Sequence, residues 1–275
     1  MNKEISLVLS GGGARGLTYI GVIEELERNG YIIKSIAGTS IGALIGGVYA
    51  AGKLQEFKKW VTSLSKYDVF KLMDFTLKLG FIKMDRVFDE IKKIIGECDF
   101  SCLSIDLKIV AADLSTTKEV IFDKGDLFDA IRASIAYPTI ITPHYINGIM
   151  YVDGGIVNPM PLNIVQDYNN TIIAVDLSSD IEYKQQTINT DYSFIKKLIK
   201  SWRGSKKKKE QWSYIKLIDQ SLSTMNKQLT RLSLKLYKSD ILIKISVDSG
   251  GFFDYYNANE LIEYGRKQTK KYLNP

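Results

Sequence analysis

The sequence predicts an α/β protein with a mostly parallel central sheet. Strand-like and helix-like patterns alternate through the first half of the chain, and two glycine-rich turns each stand between a predicted strand and a predicted helix. Parallel strands need crossover connections, which are usually helices, so this alternation is typical of a parallel sheet. With 275 residues and 45% hydrophobic composition, the chain can bury a sizeable core, and we expect a single domain over residues 1–275.

The first predicted strand, Glu4–Ser10, leads into a glycine-rich loop. The loop reads Gly11-Gly12-Gly13-Ala14-Arg15-Gly16, and a helical pattern follows it as far as Asn29-Gly30. The glycine spacing also fits a dinucleotide-binding loop, which requires an acidic residue about 20 residues further on. The chain has Lys34-Ser35-Ile36-Ala37 there instead, so the sequence disfavours a nucleotide site.

The second glycine-rich turn carries the candidate nucleophile, Ser40. A predicted strand ends at Ala37, the turn reads Gly38-Thr39-Ser40-Ile41-Gly42, and a small-residue helix follows. Gly-x-Ser-x-Gly between a strand and a helix is the pattern of a nucleophile elbow. Glycine at positions 38 and 42 removes side chains that would collide at so sharp a turn. Ser40 would then lie close to a helix N-terminus, which favours negative charge developing nearby.

The two glycine-rich turns are expected to face each other. If the first two strands are parallel neighbours joined by a right-handed crossover, their carboxyl ends meet at the same edge of the sheet. The backbone N–H groups of Gly11, Gly12, Gly13 and Ala14 can then point at the space above Ser40. Such a set of donors would form an oxyanion hole.

Two residues are candidates for the base that a serine nucleophile needs. Further strands are predicted at Asp106–Leu114, Glu119–Phe122 and Ile149–Val152, with a helix from about Asp126 to Pro138. The last of these strands runs into Asp153-Gly154-Gly155, so Asp153 could accept the serine proton directly once partial burial raised its pKa. A Ser-His-Asp triad would instead need His144, the single histidine of the chain, which lies in a predicted hairpin.

Residues 53–96 predict a mostly helical and unusually apolar segment. Apolar residues follow a helical spacing from Leu54 to Leu64 and again from Val87 to Ile95. Large apolar side chains between and around these stretches are Trp60, Phe70, Met73, Phe75, Leu77, Leu79 and Phe81. They are expected either to join the core or to line or cover a pocket for an acyl chain.

The chain changes character after a predicted strand at Thr171–Leu177. Residues 191–275 are predicted to be mainly helical, with a basic helix at Asp191–Arg203, a strand at Asp240–Val247 and a closing helix at Asn257–Leu273. A long helix between them has apolar residues at spacings of three and four, namely Ile215, Ile218, Leu222, Met225, Leu229, Leu232 and Leu236. This seam predicts packing against the domain itself or against a partner.

A run of four lysines, Lys206, Lys207, Lys208 and Lys209, carries part of the formal charge of +6. Trp202 and Trp212 flank the run, and indoles beside lysines would suit an anionic membrane surface. The alternative is a solvated loop. No nucleic-acid-binding motif accompanies the positive charge, so the sequence predicts no nucleic-acid partner.

The remaining features favour a cytoplasmic protein without a metal. No apolar run approaches the ~18 residues of a membrane span, and Ile5–Leu9 is too short for the apolar region of a signal peptide. Cys98 and Cys102 are the two cysteines, and we expect them to be free thiols in a reducing compartment. No cluster of cysteine and histidine suits a structural metal.

Taken together, these motifs resemble the patatin-like phospholipases. That family has a glycine-rich loop, a Gly-x-Ser-x-Gly elbow and an Asp-Gly-Gly or Asp-Gly-Ala segment in this order, which here are Gly11–Gly16, Gly38–Gly42 and Asp153–Gly155. Further matches are Arg15, the segment Arg132–Pro138 and Asn158-Pro159. The resemblance extends over about Ile5–Leu177.

The resemblance implies a three-layer α/β/α sandwich and a lipid acyl hydrolase without a cofactor. Ser40 would be the nucleophile, Asp153 the general base, and the glycine-loop N–H groups, together with that of Ile41, would bind the oxyanion. Arg15 would anchor the loop or contact a phosphate. The substrate would be a phospholipid or another acyl lipid, cleaved at a carboxylic ester by a phospholipase A or lysophospholipase type of reaction. Alternatives are a soluble esterase or thioesterase, and a regulatory protein that keeps the fold but only binds.

Overall fold

The computed structural model describes residues 3–74, 76, 82–183 and 214–273. The strands in this part of the chain are β1 (Glu4–Leu9), β2 (Ile32–Thr39), β3 (Asp106–Asp113), β4 (Lys118–Phe122), β5 (His144–Ile146), β6 (Ile149–Asp153), β7 (Thr171–Ser179) and β8 (Ile241–Ser246). The helices are α1 (Thr18–Arg28), α2 (Ile41–Ala50), α3 (Leu54–Ser63), α4 (Lys66–Leu72), α5 (Asp85–Ile95), α6 (Leu127–Ser134), α7 (Tyr214–Leu236) and α8 (Ala258–Leu273). Each strand and helix that the sequence predicts within these ranges is present.

All eight strands belong to one mixed sheet with the order β5-β6-β3-β2-β1-β7-β8, and β4 pairs with β3. The central strands β3, β2, β1, β7 and β8 are parallel to one another. The strands β4, β5 and β6 pair antiparallel at one side. The prediction of a mostly parallel sheet is therefore confirmed.

Strand β1 shows how the two faces of the sheet are covered. Ile5, Leu7 and Leu9 belong to the larger hydrophobic cluster, whereas Val8 belongs to a second, smaller cluster. Successive side chains of a strand point to opposite faces, so each face needs its own cover. Helices α1, α2, α3, α5, α6 and α8 contribute to the larger cluster. A short 3₁₀ helix at Leu162–Val165 and a residue of α7 cover the smaller one, which gives the three layers.

The first two strands bring the two glycine-rich turns together. β1 and β2 are parallel neighbours, with Leu9 opposite Gly38, and α1 lies between them in sequence as the crossover. Both strands therefore end at the same edge of the sheet. A Cβ atom placed on Gly11 would lie 3.4 Å from the Cβ of Ser40. The glycine loop and the serine turn are thus in direct contact.

The two cysteines form a disulfide, and the expectation of free thiols is wrong. Cys98 follows α5, and Cys102 ends a short 3₁₀ turn, with their Cα atoms 5.9 Å apart. This separation lies within the range that a disulfide can span. The turn between the cysteines folds the chain back so that both side chains meet, which spacing in the sequence did not reveal.

Helix α7 packs with only part of the predicted apolar seam, of which Ile218, Leu222 and Leu229 are half-buried. Thr230 and Ser233 are buried, whereas Met225, Leu232 and Leu236 of that seam are 53%, 52% and 73% exposed. The buried face of α7 is partly polar because the helix lies over a polar region of the domain, as the site geometry below shows. The expectation of a continuous apolar seam is therefore wrong for these three residues.

Candidate active site

Ser40 lies in the turn between β2 and α2 in a backbone conformation that few residues adopt. Its dihedral angles are φ 58° and ψ −122°, and such a conformation costs a residue other than glycine on the order of 1–3 kcal/mol. A Cβ on Gly38 would lie 2.6 Å from the backbone of Gly42, and a Cβ on Gly42 would lie 2.3 Å from the carbonyl oxygen of Leu9. Both glycines are therefore required for the turn to lie this close to the sheet.

Asp153 faces the serine. The Oγ atom of Ser40 donates a hydrogen bond to Oδ2 of Asp153 at 2.5 Å. Both residues are buried, with exposed fractions of 8% and 2%. A hydroxyl–carboxylate hydrogen bond is short and strong, and a surrounding of low polarity strengthens it further. The serine hydroxyl is thus paired with a group that can accept its proton.

The second carboxylate oxygen of Asp153 is held by the backbone. Asp153 ends β6, and its Oδ1 atom accepts a hydrogen bond from the N–H of Gly155 at 2.7 Å. The intervening Gly154 has no room for a side chain, because a Cβ there would lie 2.3 Å from the carbonyl oxygen of Val110. The Asp-Gly-Gly segment therefore fixes one oxygen of the carboxylate and leaves the other for Ser40.

Burial raises the pKa of Asp153 from 3.8 to about 6, although hydrogen bonds from Ser40 and Gly155 act in the opposite direction. A buried carboxylate loses hydration in its charged form, so protonation becomes easier. At neutral pH the group is still mostly ionised, but it binds a proton more tightly than an exposed aspartate. A general base needs both properties.

His144 does not contact the serine. Its Nε2 atom lies 2.8 Å from Oδ1 of Asp129 on α6, and the residue begins β5 at the edge of the sheet. The hydroxyl of Ser40 is bonded to Asp153 instead. Of the two arrangements that the sequence left open, the structure brings together the serine and the aspartate.

The glycine loop is held in place by two of its own N–H groups. Gly11 N–H donates to the carbonyl oxygen of Pro159 at 3.1 Å, and Ala14 N–H donates to that of Phe252 at 3.0 Å. Both residues were predicted as donors to an oxyanion. Because their N–H groups already have carbonyl partners, Gly11 and Ala14 leave the predicted set of oxyanion donors, and Gly12 and Gly13 remain in it.

Gly12 and Gly13 are the loop residues whose N–H groups have no acceptor within the described ranges. Gly13 adopts φ 59°, a conformation open to glycine without strain. Ile41 is the first residue of α2, and the first N–H groups of a helix have no partner inside it. These three N–H groups border the serine turn from two sides.

Arg15 ties the glycine loop to distant parts of the chain. Its Nε atom donates to the carbonyl oxygen of Leu177 at 3.2 Å, and Nη1 donates to that of Gly250 at 3.0 Å. Burial lowers the pKa of the guanidinium, but an arginine remains charged at any physiological pH. Of the two roles considered for Arg15, its contacts are those of an anchor.

Ser134 supports the serine turn, and the sequence analysis gave it no role. Its Oγ atom accepts a hydrogen bond from the backbone N–H of Ser40 at 2.8 Å and donates one to the carbonyl oxygen of Val110 at 2.6 Å. The residue is completely buried on α6. A hydroxyl among the alanines on the buried face of this predicted helix was the one available signal in the sequence.

Asn226 on α7 is a second residue that the sequence analysis missed. With its amide nitrogen facing the aspartate segment, it donates to the carbonyl oxygen of Gly155 at 2.7 Å and to that of Leu222 at 3.3 Å. The N–H of Gly155 in turn binds Asp153. Helix α7 therefore steadies the peptide that holds the carboxylate. A pattern of apolar positions gave no hint of this polar contact.

Two cavities meet at Ser40. The first is apolar and lies among α2, α3, α4 and α5; its lining includes Leu44, Phe57, Val61, Val69, Leu72 and Ile91. Its volume is about 80 Å³, which is small for a ligand pocket, so a long acyl chain needs these side chains to move aside. The second cavity is polar, has a volume of about 640 Å³ and lies between the glycine loop and α7. Phe252 lines both cavities.

The apolar segment noted in the sequence contributes to the first cavity. Trp60 and Met73 line it, whereas Phe70 on α4 is 61% exposed. The other large apolar residues of that set, at positions 75, 77, 79 and 81, lie outside the described residues. The segment therefore supplies part of a pocket wall as well as part of the core.

The fold and the site place the chain among α/β proteins with a serine–aspartate pair at the carboxyl edge of a parallel sheet. A family model described as patatin-like phospholipase matches residues 7–165, which include the glycine loop, Ser40 and Asp153. The chain belongs to the patatin-like phospholipase family.

Individual proteins show the same relationship. An uncharacterized NTE family protein of Mycobacterium tuberculosis is 42% identical over 179 residues, which are 64% of this chain and 50% of that protein. Lysophospholipase NTE1 of Candida albicans is 31% identical over 188 residues, 65% of this chain and 13% of that protein. VipD from Legionella pneumophila is similar in fold, with a TM-score of 0.58 and 14% identity over 99% of this chain and 67% of VipD. The chain spans about half the length of the mycobacterial relative.

The predicted membrane-facing residues cannot be placed. Lys206, Lys207, Lys208 and Lys209, the flanking tryptophans and the helix predicted at 191–203 all lie outside the described residues. In the ranges that the structure describes, no helix combines the length and the apolar character needed to span a membrane. Contact of the lysine run with an anionic membrane therefore stays a prediction.

We predict that Ser134→Ala destabilises the protein and slows the reaction of Ser40 with a fluorophosphonate. The substitution leaves the buried N–H of Ser40 without an acceptor, which costs about 1–3 kcal/mol. Ser233→Ala on α7 is a matched control, because buried Ser233 also donates to a carbonyl oxygen, that of Met160, at 2.6 Å. Denaturant unfolding and the rate of labelling by a fluorophosphonate report the two effects.

Both variants lose one hydroxyl–carbonyl hydrogen bond, but only Ser134→Ala loses the bond to the serine turn. We expect a larger fall in the free energy of unfolding for Ser134→Ala and slower labelling for that variant alone. The same free energy of unfolding and the same labelling rate in the two variants would contradict a supporting role for Ser134.

We predict that Asp153→Asn stabilises the protein at neutral pH. The pKa of Asp153 is about 6 in the folded protein against an ordinary 3.8, so the folded state binds a proton more tightly than the unfolded chain. The contribution of Asp153 to stability is therefore most favourable below pH 3.8 and is lost as the pH rises through about 6. At pH 7, Asp153→Asn should therefore raise the free energy of unfolding by up to ~3 kcal/mol.

Denaturant unfolding at pH 7.5 and at pH 4 measures this difference. The difference in the free energy of unfolding between Asp153→Asn and the wild type should be smaller at pH 4 than at pH 7.5. Asp89→Asn provides the control, since Asp89 is an exposed carboxylate of α5 away from the site. A gain that does not depend on pH would show that the buried charge is not its source.

Proposed function

We propose that this chain hydrolyses carboxylic esters of single-chain acyl lipids, with lysophospholipids as the model substrate, through Ser40 and Asp153. The observation that carries the proposal is the 2.5 Å hydrogen bond from the serine hydroxyl to a buried carboxylate. Membership of the patatin-like phospholipase family supports a lipid substrate. The relative from Candida albicans is named a lysophospholipase, which favours substrates with one acyl chain.

In the proposed reaction Asp153 acts first as a base and then as an acid. Oγ of Ser40 attacks the ester carbonyl carbon while Asp153 accepts the hydroxyl proton. When the carbon–oxygen bond of the ester breaks, Asp153 returns the proton to the departing alcohol oxygen, and the acyl group remains on Ser40. Water then attacks the acyl-serine by the same route, which releases the fatty acid and restores both side chains.

The developing oxyanion would be bound by the N–H groups of Gly12, Gly13 and Ile41. They border the serine turn and are not engaged by carbonyl groups of the described residues. Each donor of this kind is typically worth ~3–4 kcal/mol of barrier. Gly11 and Ala14 would act indirectly, because their hydrogen bonds to carbonyl oxygens fix the loop.

The apolar cavity at Ser40 would receive the acyl chain. Its walls are almost entirely aliphatic and aromatic side chains, many of them from α2 to α5. Burial of each CH₂ group there contributes about 0.8 kcal/mol. A long acyl chain would enter it as the lining side chains move aside, and the apolar lining suits such a chain.

We predict that Ser40→Ala and Asp153→Asn each abolish hydrolysis, with a loss of at least about a hundredfold in kcat. The assay measures fatty-acid release from a lauroyl lysophospholipid, together with fluorophosphonate labelling. His144→Ala is the control, because His144 contacts Asp129 and not the serine. In the wild type, kcat/KM should fall as the pH drops through about 6, where Asp153 becomes protonated.

Other outcomes would separate the alternatives. Loss of activity in a stably folded His144→Ala would show that a triad operates and that Asp153 has another role. Efficient cleavage of short soluble esters or thioesters without cleavage of lipids would make the chain a soluble esterase or thioesterase. A wild type that neither labels nor hydrolyses any ester would be a binding protein on this fold.

We predict that Val69→Trp shortens the acyl chain that the protein accepts. Val69 is buried on α4 and lines the apolar cavity, so an indole there fills the space for the chain. The ratio of kcat/KM for lauroyl over acetyl esters should fall about tenfold or more. Val120→Trp on β4, outside this cavity, is the control. An unchanged ratio in a folded Val69→Trp would show that the acyl chain binds elsewhere.

A further inference from the structure

The polar cavity lies on the other side of Ser40 from the apolar cavity and holds two cations of α7. Lys227 and Arg231 are one helical turn apart and both line this cavity together with Ser40 and Asp153. Residues i and i+4 of a helix lie on the same face, so the ammonium and the guanidinium can bind one ligand together. Helix α7 lies beyond residues 7–165, which the family model matches.

The ligand that the two cations bind in this structure is a carboxylate of the chain itself. Asp180, just after β7, forms ion pairs with Nζ of Lys227 through Oδ1 and with Arg231 through Oδ2, the latter at 3.2 Å. The hydrogen bond from Lys227 is the main cause that lowers the pKa of Asp180. Asp180 therefore remains ionised and occupies a position suited to an anion.

Asp180 is a weak occupant of that position. Its side chain is 59% exposed, and that of Arg231 is 51% exposed. Ion pairs between exposed groups contribute little to stability. A phosphate group offers more acceptor oxygens than a carboxylate and suits the planar guanidinium of Arg231. A phosphate entering the cavity can therefore displace Asp180 from the two cations.

We propose that Lys227 and Arg231 bind the phosphate of an acyl phospholipid and that Asp180 competes with this phosphate for them. The inference rests on the proposed function and adds the chemical class of the head group. In a glycerophospholipid with one acyl chain, the chain, the ester and the phosphate follow one another. In this site they would lie in the apolar cavity, at Ser40 and in the polar cavity. Asp219 also lines the polar cavity, which disfavours a head group with several negative charges.

The test compares two substrates that differ only in the phosphate. Lauroyl glycerol phosphate and monolauroylglycerol carry the same acyl chain and the same ester. We expect Lys227→Gln and Arg231→Gln each to lower kcat/KM for the phosphate substrate about tenfold and to leave that for monolauroylglycerol nearly unchanged. Lys235→Gln is the control, because Lys235 is exposed on the same helix and does not line the cavity.

We expect Asp180→Asn to have the opposite effect to Lys227→Gln and Arg231→Gln, namely to improve the use of the phosphate substrate. It removes the competing carboxylate and keeps the shape of the side chain, so KM for lauroyl glycerol phosphate should fall about threefold or more. KM for monolauroylglycerol should stay the same. If the ion pairs had a purely structural role, Asp180→Asn would raise KM for both substrates or change it for neither.

Binding without turnover separates this inference from the proposed function. Calorimetric titration of Ser40→Ala with lauroyl glycerol phosphate should show binding that Lys227→Gln, added to it, weakens. If the wild type cleaves neither substrate but this binding is present, the proposed function fails and the phosphate site stands. If both substrates are cleaved and the ratio of their kcat/KM values is the same in all variants, the proposed function stands and the phosphate site fails.

A free phosphate compound is distinguished in the same assays. Glycerol 3-phosphate that slows cleavage of monolauroylglycerol, without any change of substrate preference in Lys227→Gln, would indicate an effector site and overturn the inference. Competition by glycerol 3-phosphate that is lost in Lys227→Gln, together with the changed preference, supports it.

Discussion

The close approach of the serine turn to the sheet is the constraint on which the rest of the site depends. Two glycines let the backbone of the turn touch β1 and α2 at distances that no side chain permits. Ser40 is held at a positive φ in that space, and its N–H is bonded to a buried hydroxyl of α6. The strain of this turn is sustained because neighbouring elements fix it from several sides. Asp153 and the glycine loop can then meet one serine oxygen.

The site combines a buried charge with polar supports on every side. A buried carboxylate is costly unless hydrogen bonds compensate for lost water. Asp153 has two such bonds, from Ser40 and from the backbone of Gly155. Helix α7 adds a polar contact to the same backbone segment through Asn226. This explains why the inner face of α7 is partly polar.

Most of the fold and the centre of the site follow from local sequence patterns. Strands β1 and β2, the crossover between them and the two glycine turns are predictable because side-chain periodicity and steric exclusion act over a few residues. The pairing of Ser40 with Asp153, 113 positions apart in sequence, does not follow from the rule that parallel strands end at one edge of the sheet, because β6 runs antiparallel to its neighbour β3. The resemblance of three ordered motifs to a known family added the choice of aspartate.

The features that sequence did not predict arise from contacts between distant segments. The partners of Gly11 and Ala14 are carbonyl groups, which every residue possesses, so no residue type marks them. Asn226 and Ser134 act through single polar contacts that produce no periodic pattern. The disulfide of Cys98 with Cys102 depends on the path of a short turn. In each case the information lies in three-dimensional position and not in residue type.

The anchoring of the glycine loop has a consequence for synthesis of the chain. The loop contains residues 11–16, but Ala14 and Arg15 bind carbonyl groups of Phe252 and Gly250. A ribosome makes the loop, the serine turn and Asp153 long before it makes those two partners. The nascent polypeptide therefore carries both reactive side chains while the loop beside them still lacks its final supports. Maturation of the site is thus tied to the emergence of the last part of the domain, which delays its assembly until translation of that part.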